Sequence, residues 1–387
     1  MLLYEFEGKL LFKNVGINVP VNRLISELVD QITIKPPLVL KAQVLSGKRA
    51  ESGGIIRITN NDELITKLKE LFGKTINGEK VDKVLVEEMV EYQDEYYLSF
   101  SYSTESRGPV LTFGKGGTGA EEKGAKTYPI DLAHLRGELE LTSGAHLGGV
   151  IPEELVDTAQ KLWEVFIKYN CELAEINPLV TSKDGKVYAL DSKVILDDDA
   201  DFRREEKFPE RNLFGRPPTN AEIEARKIDE GDHRGTAGSV YWDLEGDIAV
   251  IAAGGGGSIV NIDALLAYGG KPANYTEHSG NPPREKLKKL TKIVLSRSGL
   301  KGCWFVGGTA NFTDIYETLM GFVEGLRELN PKPNYPIVIR RGGPRDKEAF
   351  EALKEIGEKE GFDFHIFGRE TPMTSTAKTM VDLAYGK

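Results

Sequence analysis

Cysteine is nearly missing from this sequence: Cys171 and Cys303 are the only two, far apart and each in an apolar stretch. Neither a disulfide framework nor a cysteine-based metal site can be built on that spacing, and both read as reduced core residues of a cytoplasmic protein. No apolar run approaches the roughly 18 residues that a membrane span requires. The opening stretch MLLYEFEGKLLFKN carries charges inside its apolar pattern and no small-residue cleavage site, so it does not read as a signal peptide. Positive charge is in deficit, with 50 Lys and Arg against 60 Asp and Glu and a net charge of −10. That balance argues against a nucleic-acid partner, whose protein surfaces are basic.

What is present is an α/β chain long enough for two or three domains. A helix fits 60–72: Asn60 and Glu63 form a capping-box pattern, Leu64, Leu68 and Leu71 share a face, and Gly73 ends it. Another fits 152–169, with Pro152 in the first turn and Leu155, Ala159, Leu162 and Phe166 at helical spacing. Strands fit 38–44, 83–87, 96–103, 173–181 and 187–194. A polar segment over 205–238, holding Pro209, Pro217 and Pro218, reads as a linker with one short helix near 221–229. Beyond it, strands at 247–253, 303–306 and 337–340 each run into glycines and then a helix, and a fourth strand fits 364–367. Repeated strand–glycine–helix order means a doubly wound parallel sheet, with its ligand site at the carboxyl ends of the strands. The expected domains are 1–235 and 240–387.

Several constellations carry chemistry. Lys183-Asp184-Gly185 is a hairpin turn signal. A turn centred on Asp184 sets Asn177 opposite Asp191 and Glu175 opposite Lys193, all on one face. An amide oxygen and a carboxylate converging there suit Mg²⁺, which takes few protein ligands. The same face is also what an exposed polar hairpin with a salt bridge would show. Lys41 ends an apolar strand and can reach phosphates as a point charge, or snorkel to water. Glu87, followed at some distance by Glu95, ends another apolar strand, where an acid can meet a ribose or an adenine edge; a solvated strand end reads alike. The glycine loops Gly254–Gly257, Gly307-Gly308 and Gly342-Gly343 offer backbone N–H groups to anions. Arg340 and Arg341 end a strand beside the last loop, and alternation lets only one of them point into a site.

These pieces stand in the order found in the β subunit of succinyl-CoA synthetase and its citrate-using relatives. The sequence resembles that family over nearly its whole length, at Leu3–Lys9, at Lys41-Ala42-Gln43-Val44, at Leu85-Val86-Glu87, at Glu175-Ile176-Asn177-Pro178-Leu179, at Leu190-Asp191 and at Gly270–Asn274. The resemblance implies an ATP-grasp domain followed by a flavodoxin-like CoA-ligase domain. It also implies roles. Asn177 and Asp191 would bind Mg²⁺, Lys41 and Arg49 would contact the phosphates of ATP, Glu87 and Glu95 would surround the adenosine, and Glu175 would approach a phosphohistidine of a partner chain. One departure stands out: Ser46-Gly47-Lys48-Arg49-Ala50-Glu51 replaces the family's glycine-rich stretch after the lysine.

Three stretches, 274–280, 307–313 and 340–344, are similar to ATP-citrate lyase and citryl-CoA synthetase rather than to the succinate enzymes. Citrate needs more donors than succinate, and Ser279, Gly280, Asn311, Thr313 and Arg341 would supply them. The implied reaction turns citrate and MgATP into citryl phosphate and then citryl-CoA. The resemblance places the carrier histidine and the CoA site on an α subunit, so none of His134, His146, His233, His278 and His365 is expected to be the nucleophile. Cleavage of citryl-CoA is expected to fall to another chain. A dedicated citryl-CoA synthetase, a two-gene ATP-citrate lyase and a succinyl-CoA synthetase all remain open at this point.

Overall fold

The computed structural model describes residues 1–27, 32–47, 49–117, 119, 124–136, 139, 149–211, 216 and 218–386. They form two compact units, Met1–Arg216 and Pro217–Lys387.

The first unit contains helices α1 (Glu5–Asn14), α2 (Leu64–Leu71) and α3 (Glu153–Lys168). Its strands are β1 (Asn22–Ile25), β2 (Leu38–Ala42), β3 (Ile55–Ile58), β4 (Thr75–Ile76), β5 (Glu79–Lys80), β6 (Val84–Glu88), β7 (Tyr92–Ser103), β8 (Gly108–Lys115), β9 (Lys126–Pro129), β10 (Cys171–Ser182), β11 (Val187–Ala189) and β12 (Lys193–Leu196). An antiparallel sheet in the order β1-β6-β2-β3 is covered on one face by α2. Asn60 caps that helix as expected, accepting from the Glu63 N–H at 3.2 Å, and the first turn is 3₁₀. Leu64, Leu68 and Leu71 pack there on Leu38, Leu40, Val84 and Val86. Side chains alternate along a strand, so Lys41 and Glu87 come out on the opposite face. Both nevertheless stay buried.

The second sheet runs β11-β10-β7-β8-β9, with β12 also paired to β10. Leu155, Ala159, Leu162 and Phe166 of α3 pack on it, the apolar face expected from their spacing. Leu179 pairs with Ala189, and Glu175 with Lys193, the register that a turn at Asp184 dictates. The strand expected over 187–194 is nevertheless broken into β11 and β12. The Leu190 N–H still donates to the Pro178 carbonyl of β10 at 3.0 Å, but regular pairing lapses over 190–192, and the Leu190 carbonyl is taken by the ammonium groups of Lys9 and Lys41 instead.

The second unit holds α4 (Asn220–Arg226), β13 (Thr236–Asp243), β14 (Ile248–Ala253), α5 (Gly255–Ala267), β15 (Asn274–Ser279) and α6 (Arg284–Leu295). These are followed by β16 (Gly302–Thr309), α7 (Ile315–Arg327), β17 (Ile337–Gly342), α8 (Asp346–Glu360), β18 (Phe364–Phe367) and α9 (Ser375–Tyr385). The sheet order is β13-β15-β14-β16-β17-β18, parallel except for β13. This is the doubly wound sheet read from the strand–glycine–helix repeats. Its chain order reverses between β14 and β16, the switch point where such sheets bind ligands.

This unit begins ahead of the boundary expected near 235–240, because the polar segment docks rather than links. Asp229 accepts from the N–H groups of Gly238 and Ser239 at 2.9 and 2.8 Å and from Lys286 at 2.9 Å. Glu222 accepts from the Asp243 N–H at 3.1 Å. Residues 212–215 and 217 of the expected linker, and His146, lie outside the described residues. Among the described residues no helix is long and apolar enough to cross a membrane.

Candidate functional site

In the first unit a cleft of about 530 Å³ opens between the two sheets' edges. Val39, Ile55, Met89, Val90, Pro178 and Leu190 give it apolar walls, and Lys41, Glu87 and Asp191 give it charge. At its floor lies a cluster of three carboxylates, Glu5, Glu87 and Asp191, and three cations, Lys9, Lys41 and Arg49, all buried except Asp191. Lys41 Nζ lies 2.9 Å from Glu5 Oε1 and 2.6 Å from Glu87 Oε1. Arg49 Nη2 lies 2.5 Å from Glu5 Oε2 and 2.8 Å from Asp191 Oδ1.

The electrostatics follow from burial opposed by pairing. Burial pushes the Glu5 carboxyl up, but Arg49, Lys41 and Lys9 overcome it and hold the group well below the usual carboxylate range. Burial pushes the Lys41 ammonium down, yet Glu5, Glu87 and Asp191 raise it above its ordinary value. For Lys9 burial, helped by the like charge of Lys41, prevails over Glu5 and Glu87, and its value falls. Lys41 therefore stays a cation that lines the cleft.

Lys41, Arg49 and Asp191 are thus brought together from three separate stretches of chain. Glu87 joins them in an unexpected way: its carboxylate is taken by Lys9 and Lys41 and faces inward. Glu95 on β7 does not line the cleft itself but accepts from the hydroxyl of Tyr92, which does, at 3.4 Å. Glu175 receives the Tyr97 hydroxyl at 3.0 Å. The Leu45 and Ser46 N–H groups, in the stretch that departs from the family's glycines, point to the Glu79 carboxylate at 2.9 and 2.6 Å. Lys48 lies outside the described residues.

The residues fit a magnesium ion by the chemistry of their donors. Asp191 directs Oδ1 to Arg49 and to the Ser192 N–H, and its side chain is 34% exposed and lines the cleft. Asn177, on β10, accepts from the Gly117 N–H at 2.8 Å through Oδ1. Both offer hard oxygen ligands. Among the described residues no group of three or more His, Cys, Asp or Glu forms a cage for a metal ion.

In the second unit the β14–β16 switch point gathers the other set. Arg340 and Arg341 face opposite sides of β17, as alternation requires. Arg340 donates to the Thr371 and Gly307 carbonyls at 2.8 and 2.7 Å. Arg341 is 3% exposed, and its Nε is buried without a hydrogen bond. Ala253 pairs in register with both His278 and Gly307, and the Arg341 Nη1 lies over Gly307, where a β-carbon would stand 2.1 Å from it. The small residues Ala253 and Gly307 leave the guanidinium room to lie there. Burial, then the neighbouring Arg340, pushes the Arg341 guanidinium down to about 10. Burial, then Arg341, pushes the His278 imidazole down to about 3. Thr313 Oγ1 donates to the Gly280 carbonyl, and Ser279 Oγ meets Thr236 Oγ1 at 3.0 Å. Asn311 is exposed on the loop after β16.

Sequence reasoning missed Glu5, Lys9, Tyr97 and His278. For the first two a signal existed, since a charged pair four apart inside an apolar helical stretch is costly unless partnered. For Tyr97 and His278 there was none, because only cross-strand register gives them their neighbours.

The geometry agrees with comparisons to known proteins. The family model described as ATP-grasp domain matches residues 2–181, and the one described as ATP citrate lyase citrate-binding matches residues 219–383. The chain is 34% identical to the succinate–CoA ligase [ADP-forming] subunit beta of Methanocaldococcus jannaschii over 92% of its own length and 95% of the relative's. It is 34% identical to that of Desulfurococcus amylolyticus over 92% of this chain and 94% of the other. Among solved structures it resembles ATP citrate lyase from Methanothrix soehngenii in complex with citrate and coenzyme A, with a TM-score of 0.76 and 25% identity over 100% of this chain and 99% of that one. A mutant ATP citrate lyase from Methanosaeta concilii in complex with (3S)-citryl-CoA matches with TM-score 0.76 and 25% identity, over 98% and 99% of the two chains. The ATP-grasp fold, the second parallel-sheet unit and these relatives together identify an ADP-forming acid–CoA ligase, and the chain belongs to the succinate–CoA ligase β-subunit family.

Proposed function

We propose that this chain activates citrate with MgATP and, with a histidine-bearing, CoA-binding α subunit, makes citryl-CoA. The observation that carries the reading is Arg341, a buried guanidinium with an unpartnered Nε at the carboxyl edge of a doubly wound sheet. It belongs to the stretch that matches the citrate-binding model, and two structural neighbours hold citrate or citryl-CoA. Thr313, Asn311 and the Ser279-Gly280 backbone complete the proposed carboxylate site.

The first unit takes the nucleotide. Lys41 and Arg49 meet its phosphates, and the apolar cleft walls with Glu95 meet the adenosine. Glu87 backs Lys41 from beneath rather than reaching a ribose. Asn177 and Asp191 would hold a magnesium ion, which would offset charge on the phosphate oxygens. The partner's histidine nitrogen attacks the γ-phosphorus as ADP leaves, and Glu175, oriented by Tyr97, steadies the imidazole. The phosphohistidine then gives its phosphoryl group to a citrate carboxylate oxygen. CoA thiolate attacks the citryl phosphate carbonyl, and phosphate leaves.

A second reading, succinate as the acid, is favoured by the curated relatives at 34% identity. Co-expression with the α subunit, followed by ADP release with citrate and succinate in parallel, separates the two. Citrate should be preferred, and a preference for succinate overturns the proposal. Acetyl-CoA among the products would show that the partner also carries a citryl-CoA lyase module.

A further inference from the structure

Glu5 and Lys9 have no part in the reading above, yet they lie at the centre of the charged cluster. They stand one turn apart on α1, and each side chain is 1% exposed. Lys9 Nζ lies 2.7 Å from Glu5 Oε1 and 2.7 Å from the Leu190 carbonyl, and it also meets Glu87. Glu5 holds Lys41 at 2.9 Å and Arg49 at 2.5 Å, and its backbone carbonyl accepts from Ser192 Oγ at 2.8 Å. The helix backbone itself rests on this segment: a β-carbon at Gly8 would stand 2.5 Å from Ser192 Oγ.

Leu190, Asp191 and Ser192 are the residues that leave the sheet between β11 and β12. Leu190 keeps one backbone bond to β10, its N–H to the Pro178 carbonyl at 3.0 Å, so the position of its carbonyl, of Asp191 and of Ser192 must come from elsewhere. Much of it comes from α1: Lys9, beside Lys41, on the Leu190 carbonyl, the Glu5 backbone carbonyl on the Ser192 hydroxyl, and Arg49, itself held by the Glu5 carboxylate, on Asp191. We infer that α1 is part of the nucleotide site, with Lys9 and Glu5 acting as positioning residues for the Asp191 segment, Lys41 and Arg49. The inference rests on the reading of the cleft as the MgATP site.

Two features separate positioning from plain stabilisation. The cluster balances three carboxylates against three cations, so removing one member leaves an uncompensated buried charge. Charge alone could be restored by removing a member of the opposite sign, whereas the lost donor on Leu190 could not.

The test uses the full chain and calorimetric titration with MgATP, alongside melting temperatures. Lys9→Met should weaken MgATP binding by about 10- to 100-fold, as loss of groups that orient a metal ligand does. It should raise the Mg²⁺ concentration needed at fixed ATP by a similar factor. The double variant Glu5→Gln/Lys9→Met restores the charge balance, and its binding should remain weak. Recovery of wild-type affinity in the double variant reduces the effect to charge and overturns the inference. So does wild-type affinity in Lys9→Met with only a lower melting temperature. Should Lys9→Met not fold, Glu5→Gln and Lys9→Arg carry the same measurement, and wild-type affinity in both overturns the positioning role. Wild-type chain that fails to bind MgATP removes the cleft reading itself, and this inference with it.

Discussion

Arg341 Nη1 lies so close over Gly307 that a β-carbon there would stand 2.1 Å from it and 2.6 Å from the Ala253 β-carbon. Gly307→Ala must therefore push the guanidinium away from Gly307. Arg341→Leu removes it. Either change should raise the citrate requirement and leave the ATP requirement nearly unchanged. Losing one bidentate, charge-assisted contact costs about 2–4 kcal/mol, or roughly 30- to 1,000-fold in citrate efficiency. Steady-state kinetics of the complex with its α subunit check this. Unchanged citrate kinetics in Arg341→Leu would sink the citrate assignment.

Asp191→Asn should lower ATP-dependent turnover by orders of magnitude with the fold intact. The substitution keeps the shape but removes the charged magnesium ligand and the anionic partner of Arg49, 2.8 Å away. Turnover measured over a range of Mg²⁺ concentrations is the check. Wild-type activity at limiting Mg²⁺ contradicts the metal assignment.

The purified chain alone should bind MgATP and form no acyl-CoA, since the proposed carrier histidine and CoA site belong to the α subunit. A thioester assay with and without that subunit decides it. Acyl-CoA made by this chain in isolation would refute the partner requirement.

His278 should make the second unit acid-sensitive. Burial, with Arg341 and the Phe305 ring as neighbours, holds the imidazole at about 3 in the folded chain, against an ordinary 6.5. The unfolded chain therefore takes up the proton first as pH falls. The contribution of His278 is complete above about 6.5 and is lost progressively between there and about 3, on the order of 4–5 kcal/mol in all. His278→Phe should flatten that part of the stability–pH curve in denaturant titrations. A curve of unchanged slope in the variant contradicts this account.

What depends on local order was legible without coordinates. Asn60 capping onto Glu63, the apolar stripe of α3 and the strand–glycine–helix repeats are set by neighbours a few residues away, and each appears where spacing put it. The pairing of Leu179 with Ala189 and of Glu175 with Lys193 also follows from a local signal, the turn at Asp184, because a turn sets the register of the hairpin around it.

Only the tertiary structure decided where the charges point. Glu87 ends an apolar strand in the sequence, which leaves open whether its carboxylate meets solvent, a ribose or another side chain. The answer depends on α1, which lies far away in the chain and brings Lys9 beneath it. The break at 190–192 has no local cause either, since it is held by Lys9, Lys41 and Ser192 contacts across the fold. Nor could spacing show that Ala253 and Gly307 leave the room in which Arg341 and His278 become neighbours. Cross-strand register and buried charge pairing are made by residues distant in sequence, and their energies are set by desolvation that only the packed chain imposes.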